Sequence, residues 1–164
     1  LKVHFDGKHF DHDDVLRMVN CERYGKNLPI AKGLVRGLGL QKGAIATSVA
    51  HDSHNLMAAG VTEIEMQLAL NTLIKSGGGF CVVEGDNVLA HVELPIAGLM
   101  SLKSSEELYE GIKKLKQALK EIGCVLDEPF IQMAFLALPV IPELKLTDRG
   151  LFDVSTFQFV PLKF

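Results

Sequence analysis

Apolar and polar positions along the chain change period several times, and each change marks an element. Lys2–Phe5 reads as a short strand. Asp11–Asp14 reads as the start of a short helix, with Val15, Leu16 and Val19 as its apolar side. Residues 30–39, IAKGLVRGLG, alternate loosely and repeat glycine, which predicts a strand with bulges or close backbone packing. AIATSVA at 44–50 is a second strand of small residues, and 55–59 returns from it, so 44–59 has the outline of a hairpin.

A helix is predicted over 63–75. Thr62 with Glu65 three residues later forms a capping box, and Met66, Leu70, Leu73 and Ile74 supply the apolar stripe. Gly77-Gly78-Gly79 stops it. The strands 80–84 and 88–94 flank Gly85-Asp86-Asn87, a strong hairpin signal. A second helix is predicted over 105–122, with Ser104 or Ser105 as its cap and acidic residues in its first turn, Ile112, Leu115, Leu119 and Ile122 buried and Gly123 at its end. The segment 130–138 is a very apolar strand or buried helix, and 152–160 alternates like an edge strand. Together these elements predict an α+β fold, a mixed or antiparallel sheet of about six strands with two to four helices packed on it.

Composition narrows the class. With 164 residues, 48% apolar, 23% charged and a net charge of −3, the chain reads as one ordinary globular domain spanning 1–164. There is no basic cluster, so nucleic acid is not an expected partner. The longest apolar stretch is broken by Gln132 and Pro139 and is too short for a bilayer, so no membrane is expected. Cys21, Cys81 and Cys124 are odd in number and widely spaced, which argues for a reducing compartment. No signal peptide is visible, and a cytoplasmic location is expected. The first residue is Leu1, which fits a processed terminus or a piece of a longer chain.

Candidate chemistry concentrates in SVAHDSHNLMAAG, residues 48–60. His51 and His54 can exchange protons near neutral pH or ligate a metal, Asp52 can orient an imidazole, and Ser53 and Asn55 can hydrogen-bond a ligand. Turn chemistry accounts for the same residues, since Asp, Ser and Asn bond their own backbone. HFDHDD at 9–14 offers His9, Asp11, His12, Asp13 and Asp14 to a divalent cation, but a hydrophilic near-terminal segment is the commoner explanation. His91 and Glu93 share one face of a strand, and the second half of a zinc deaminase signature is absent, so a solvated face explains them. The glycine triplet follows a helix rather than preceding one, which makes it a C-cap and not a phosphate cradle. Cys81 lies in a buried strand and is expected to be inert.

GAIATSVAHDSHN at 43–55, LPIAGLMS at 94–101 and LALPVIPELKLTDRGL at 136–151 resemble, in order, the C-terminal domain of the bacterial and archaeal adenine deaminases of the amidohydrolase superfamily. The resemblance runs from about Glu22 to the end of the chain. It implies the hydrolysis of adenine to hypoxanthine and ammonia by a metal-bound hydroxide. The metal, manganese or iron, would sit in a (β/α)₈ barrel that 164 residues cannot also hold. No metal site and no cofactor are therefore assigned to this chain. The expected partners are that catalytic barrel, covalent or separate, adenine as ligand of the complete enzyme, and a second copy of the chain in a homo-oligomer. Carried over by residue, the match makes His51, Asp52 and His54 catalytic candidates, with Ser53 and Asn55 as substrate-binding candidates, on a loop closing the active site. The alternative is a stand-alone purine- or metal-binding module without catalysis.

Overall fold

A computed structural model describes Phe10 and residues 14–162. Among these residues the chain forms β1 (Val15–Cys21), β2 (Ala31–Arg36), β3 (Ala44–Thr47), β4 (Leu56–Gly60), α1 (Glu63–Ser76), β5 (Gly79–Glu84), β6 (Asn87–Glu93), α2 (Ser105–Glu121), α3 (Pro129–Leu136), β7 (Leu144–Thr147), β8 (Gly150–Asp153) and β9 (Gln158–Val160). Six strands form one sheet in the order β2-β1-β4-β3-β5-β6, and every neighbouring pair is antiparallel. A separate antiparallel sheet holds β7-β8-β9. The fold is α+β.

The two central strands explain the layering. Every residue of β3 and β4 is buried, so both faces of the sheet are covered there. On one face Ala44, Ala46 and Ala58 pack under Met66, Ala69 and Leu73 of α1. On the other, Ile45 and Met57 pack with Leu115 and Leu119 of α2, Met133 of α3 and Leu146 of β7. Small residues on the α1 face let the helix lie close. Gly60 makes the point: a Cβ there would meet the Ala44 Cβ at 2.5 Å.

Both long helices begin and end at the expected signals. Ser104 and Glu107 close a reciprocal capping box on α2. On α1 the Thr62 hydroxyl accepts the Glu65 N–H, but the Glu65 carboxylate does something else. It accepts the Thr62 hydroxyl at 2.7 Å and the Gly85 N–H at 2.9 Å, tying the helix start to the β5–β6 turn. Gly77 caps α1 in the left-handed conformation. Gly78 and Gly79 serve close packing, since Cβ atoms there would lie 2.5 Å from the Gly98 Cα and 2.0 Å from the Val92 carbonyl oxygen.

Several expectations are corrected. Val15, Leu16 and Val19 lie on strand β1, not on a helix, because this segment alternates and pairs on both sides. Ile74 faces outward, and the buried stripe of α1 is Glu65, Met66, Ala69 and Leu73. Ile112 is only part of the rim of α2, whose buried residues are Leu115, Ala118 and Leu119. Of the two readings of 130–138, the helix is right: Pro129 opens it and Phe130, Met133, Ala134 and Ala137 recur at helical spacing. The segment 152–160 is two strands joined by a turn in which Asp153 accepts the Ser155 N–H at 2.8 Å. The strand expected at 2–5 lies outside the described residues, as does HFDHDD apart from Phe10 and Asp14. Asp14 accepts the N–H groups of Gly37 and Gly39 at 2.6 and 2.7 Å, so its carboxylate holds the chain after β2.

Candidate functional site

Residues 48–55 connect β3 to β4 at one end of the six-stranded sheet. The entry to this loop is anchored by a buried hydroxyl. Ser48 donates to the Gly98 carbonyl at 2.6 Å and accepts the Gly79 N–H at 2.8 Å. Its own N–H donates to the Gly79 carbonyl at 3.0 Å. One small side chain thus joins three segments: the loop, the glycine triplet after α1 and the loop after β6.

The far side of the loop is held by the residues that follow β1. Arg23 Nε donates to the His54 carbonyl at 2.7 Å, and the terminal guanidinium nitrogens reach the carbonyls of Gly77, at 3.4 Å, and Ala97. The Tyr24 hydroxyl donates to the Ser53 carbonyl at 2.6 Å. Glu22 in turn accepts the N–H groups of Tyr24 and Lys26, which fixes the turn carrying both side chains. Gly98 has φ +74, and a Cβ there would strike the Arg23 guanidinium, so the loop after β6 can pass the arginine only as glycine.

Within the loop, the His54 N–H donates to the Ala50 carbonyl at 2.6 Å and His54 Nδ1 accepts the Ala50 N–H at 3.3 Å. That bond places the remaining proton of a neutral ring on Nε2. His54 sits at φ +49, so its carbonyl turns towards Arg23. The His51 ring packs 5.4 Å from Phe135 of α3 and 6.2 Å from the His54 ring. His51 Nδ1 and Asp52 Oδ1 are 3.9 Å apart, with the carboxylate almost fully in solvent. Asn55 is buried, and its amide braces the loop from beneath by donating to Ser53 Oγ at 3.2 Å. Its Oδ1 has no hydrogen-bond partner among the described residues.

The loop therefore gathers His51, Asp52, Ser53 and His54 on an open face, with Asn55 below. Asp52 and Ser53 also line a cleft of about 400 Å³ with Thr147, Asp148, Arg149 and Phe152. His51 borders a second cleft of about 260 Å³ against α2 and α3. The stretches 43–55, 94–101 and 136–151 thus converge at this end of the molecule. Among the described residues no three His, Cys, Asp or Glu side chains come together to hold a metal ion.

Other singled-out residues fall elsewhere. His91 Nε2 lies 3.1 Å from Ser76 Oγ, and its half-burial pulls its pKa down, while exposed Glu93 pairs with Lys103 at 3.5 Å. Cys81 is fully buried, and burial pushes its thiol up to about 12, so it is not a nucleophile near neutral pH. Arg23 and Tyr24 were not singled out from sequence. Arg23 meets its acceptors 31, 54 and 74 residues away, and no local pattern signals that.

What these contacts define is an α+β domain that presents one rigidly tethered, histidine-bearing loop without a metal cage of its own among the described residues. The family model for the adenine deaminase C-terminal domain matches residues 1–158, and the chain belongs to that family. It is 63% identical over 163 residues to an adenine deaminase of Bdellovibrio bacteriovorus and 53% identical over 163 to one of Shewanella halifaxensis. In both cases the match takes in 99% of this chain and 28% of the relative. An adenine deaminase of Escherichia coli is 54% identical over 155 residues, 94% of this chain and 26% of the relative. The chain thus spans little more than a quarter of the length of the curated relatives it matches. No helix among the described residues is long and apolar enough to cross a membrane.

Proposed function

We propose that the domain works within a metal-dependent adenine deaminase, which converts adenine and water to hypoxanthine and ammonia. In this reading the loop 51–54 closes over the active site of a catalytic barrel outside this chain. The observation that carries it is the division of labour in the loop. Arg23 and Tyr24 hold its backbone through the His54 and Ser53 carbonyls, while the His51 and Asp52 side chains stay open to solvent. A loop built only to reverse the chain needs neither clamp nor imidazoles.

The chemistry required of such a loop is modest. Adenine hydrolysis takes up one water and releases ammonia, so a proton must reach the departing amino group while bulk solvent is kept from the site. His54, with Nδ1 occupied by the Ala50 N–H, offers Nε2–H as a donor. His51, stacked on Phe135, is restrained at the edge of the same face. Ser53 and Asn55 would orient a purine or the loop that covers it. Manganese or iron, which the family resemblance implies, finds no cage among the described residues.

The test is kinetic, in the intact deaminase. His51→Ala and His54→Ala are each expected to lower kcat/KM for adenine by at least about tenfold, of the order of a lost proton-transfer group. Metal content should stay unchanged in both, as should the thermal midpoint of His51→Ala; His54→Ala also loses the acceptor of the Ala50 N–H, so its midpoint should fall slightly. Unaltered turnover and unaltered affinity for adenine in both variants would refute the assignment.

A further inference from the structure

A groove of about 810 Å³ runs between α1 and the strands β1 and β2. Helix α1 presents two stripes. One is the buried set described above. The other, Ile64, Gln67, Asn71 and Ile74, recurs at intervals of three and four residues and lines the groove. Ile64 is 71% exposed, Ile74 62% and Ile30 on the facing wall 54%. Three isoleucines this exposed along one groove form an apolar patch of the kind that marks interaction surfaces.

Two observations say what covers it. Phe10 and Leu162, at the two ends of the described chain, both line the groove. More than two thirds of each relative lies outside the matched region, and the family is a C-terminal domain, which places that remainder before the matched region in those relatives. The groove also ends beside the loop clamp. Glu22, Leu56 and Ile74 close it, and Cys21 pairs with Leu56 directly after the loop. We propose that this groove is the seat of the preceding part of the same polypeptide. The occupant is a largely apolar surface of that part, with amide or backbone groups opposite Gln67 and Asn71 and polar groups facing the Arg17, Glu22, Lys32 and Glu63 side chains that also line the groove. The inference rests on reading the domain as part of a longer deaminase, and it names the face by which the two parts join.

Docking in this groove places the preceding part against the same end of the sheet that carries the loop 51–54. The groove is therefore the means by which the loop is brought to a site the domain does not contain.

The test uses the intact protein with Cys124→Ser. Cys81 is buried and Cys21 is held up near 11, so both react slowly near neutral pH. Ile64→Cys, Ile74→Cys and Leu102→Cys are labelled with a maleimide at pH 7 and followed by mass spectrometry. Leu102, 77% exposed and away from the groove, is the reference. Labelling at 64 and 74 is expected to be at least tenfold slower than at 102. Equal rates would overturn the proposal. A benzophenone photo-crosslinker at position 64 then identifies the cover. Crosslinks within one chain to residues preceding this domain support it. Crosslinks to a second copy, or only to residues 1–13, overturn it. Neither readout depends on turnover, so the groove can fail while the loop assignment stands, and the reverse.

Discussion

The β5–β6 and β3–β4 connections both join antiparallel neighbours in one sheet. The first reverses the chain with two residues, Gly85 and Asp86. The second uses eight, 48–55, where two would do. The short turn is held by one contact, the Gly85 N–H on Glu65. The long one is held at both ends by Ser48, Arg23 and Tyr24, drawing in α1, β1 and the loop after β6. The excess length together with the excess restraint is what distinguishes a presented loop from a simple reversal.

The comparison breaks first at Arg23. Arg23→Met removes hydrogen bonds to three carbonyls, and charged hydrogen bonds contribute about 1.5–3 kcal/mol each when desolvated. Because part of this cluster is exposed, we expect a loss of about 2 kcal/mol in denaturant midpoints. Hydrogen exchange at 51–54 should rise at least tenfold, with none at 85–86. Arg23→Lys should not restore protection, since an ammonium cannot span three acceptors held by a planar fork. If the lysine variant is as protected as the parent, the clamp is not what orders the loop.

Ser48→Ala comes next. It strands the Gly79 N–H and Gly98 carbonyl in a buried setting, at a cost of about 1–3 kcal/mol. Thermal unfolding of the variant against the parent measures it. Ser48→Thr should not rescue, because Gly78 already lies against the Ser48 side chain.

The smallest effect belongs to the short turn. Gly85 has φ +55 and open space around it, so Gly85→Ala should cost only the conformational strain of a left-handed alanine, about 1 kcal/mol, and leave exchange at 51–54 unchanged. A larger loss, or a loosened long loop, would mean that the two hairpins are coupled through α1.

The same contrast explains what was legible in the sequence. Helices α1 and α2 and the β5–β6 hairpin are specified by neighbours within a few residues: Thr62 and Gly77, Ser104 and Glu107, Gly85 and Asp86. The polar run 51–55 was visible because it interrupts two apolar strands. Its restraint was not visible, since Arg23 acts across the fold. Strand β1 was misread because Asp11–Asp14 resembles an acidic helix start, and the pairing that makes 15–21 a strand comes from β2 and β4. Ile74 was assigned to the core because periodicity counts apolar positions without saying which of two stripes is buried. The small sheet β7–β9 was legible only as one edge strand at 152–160, because β7 and β9 are four and three residues long and the turns at 148–149 and 154–157 leave each strand too short to show a period.

The clamp grips by main-chain oxygens alone. Arg23 holds the carbonyls of His54, Gly77 and Ala97, and Tyr24 holds that of Ser53. Every amino acid has such an oxygen. Replacing a loop side chain therefore leaves these grips in place, so the chemistry offered by the loop is separable from the position at which it is offered. Such a platform can exchange its reactive groups during evolution, or in a selected library randomised at 51–53, without first having to rebuild its support.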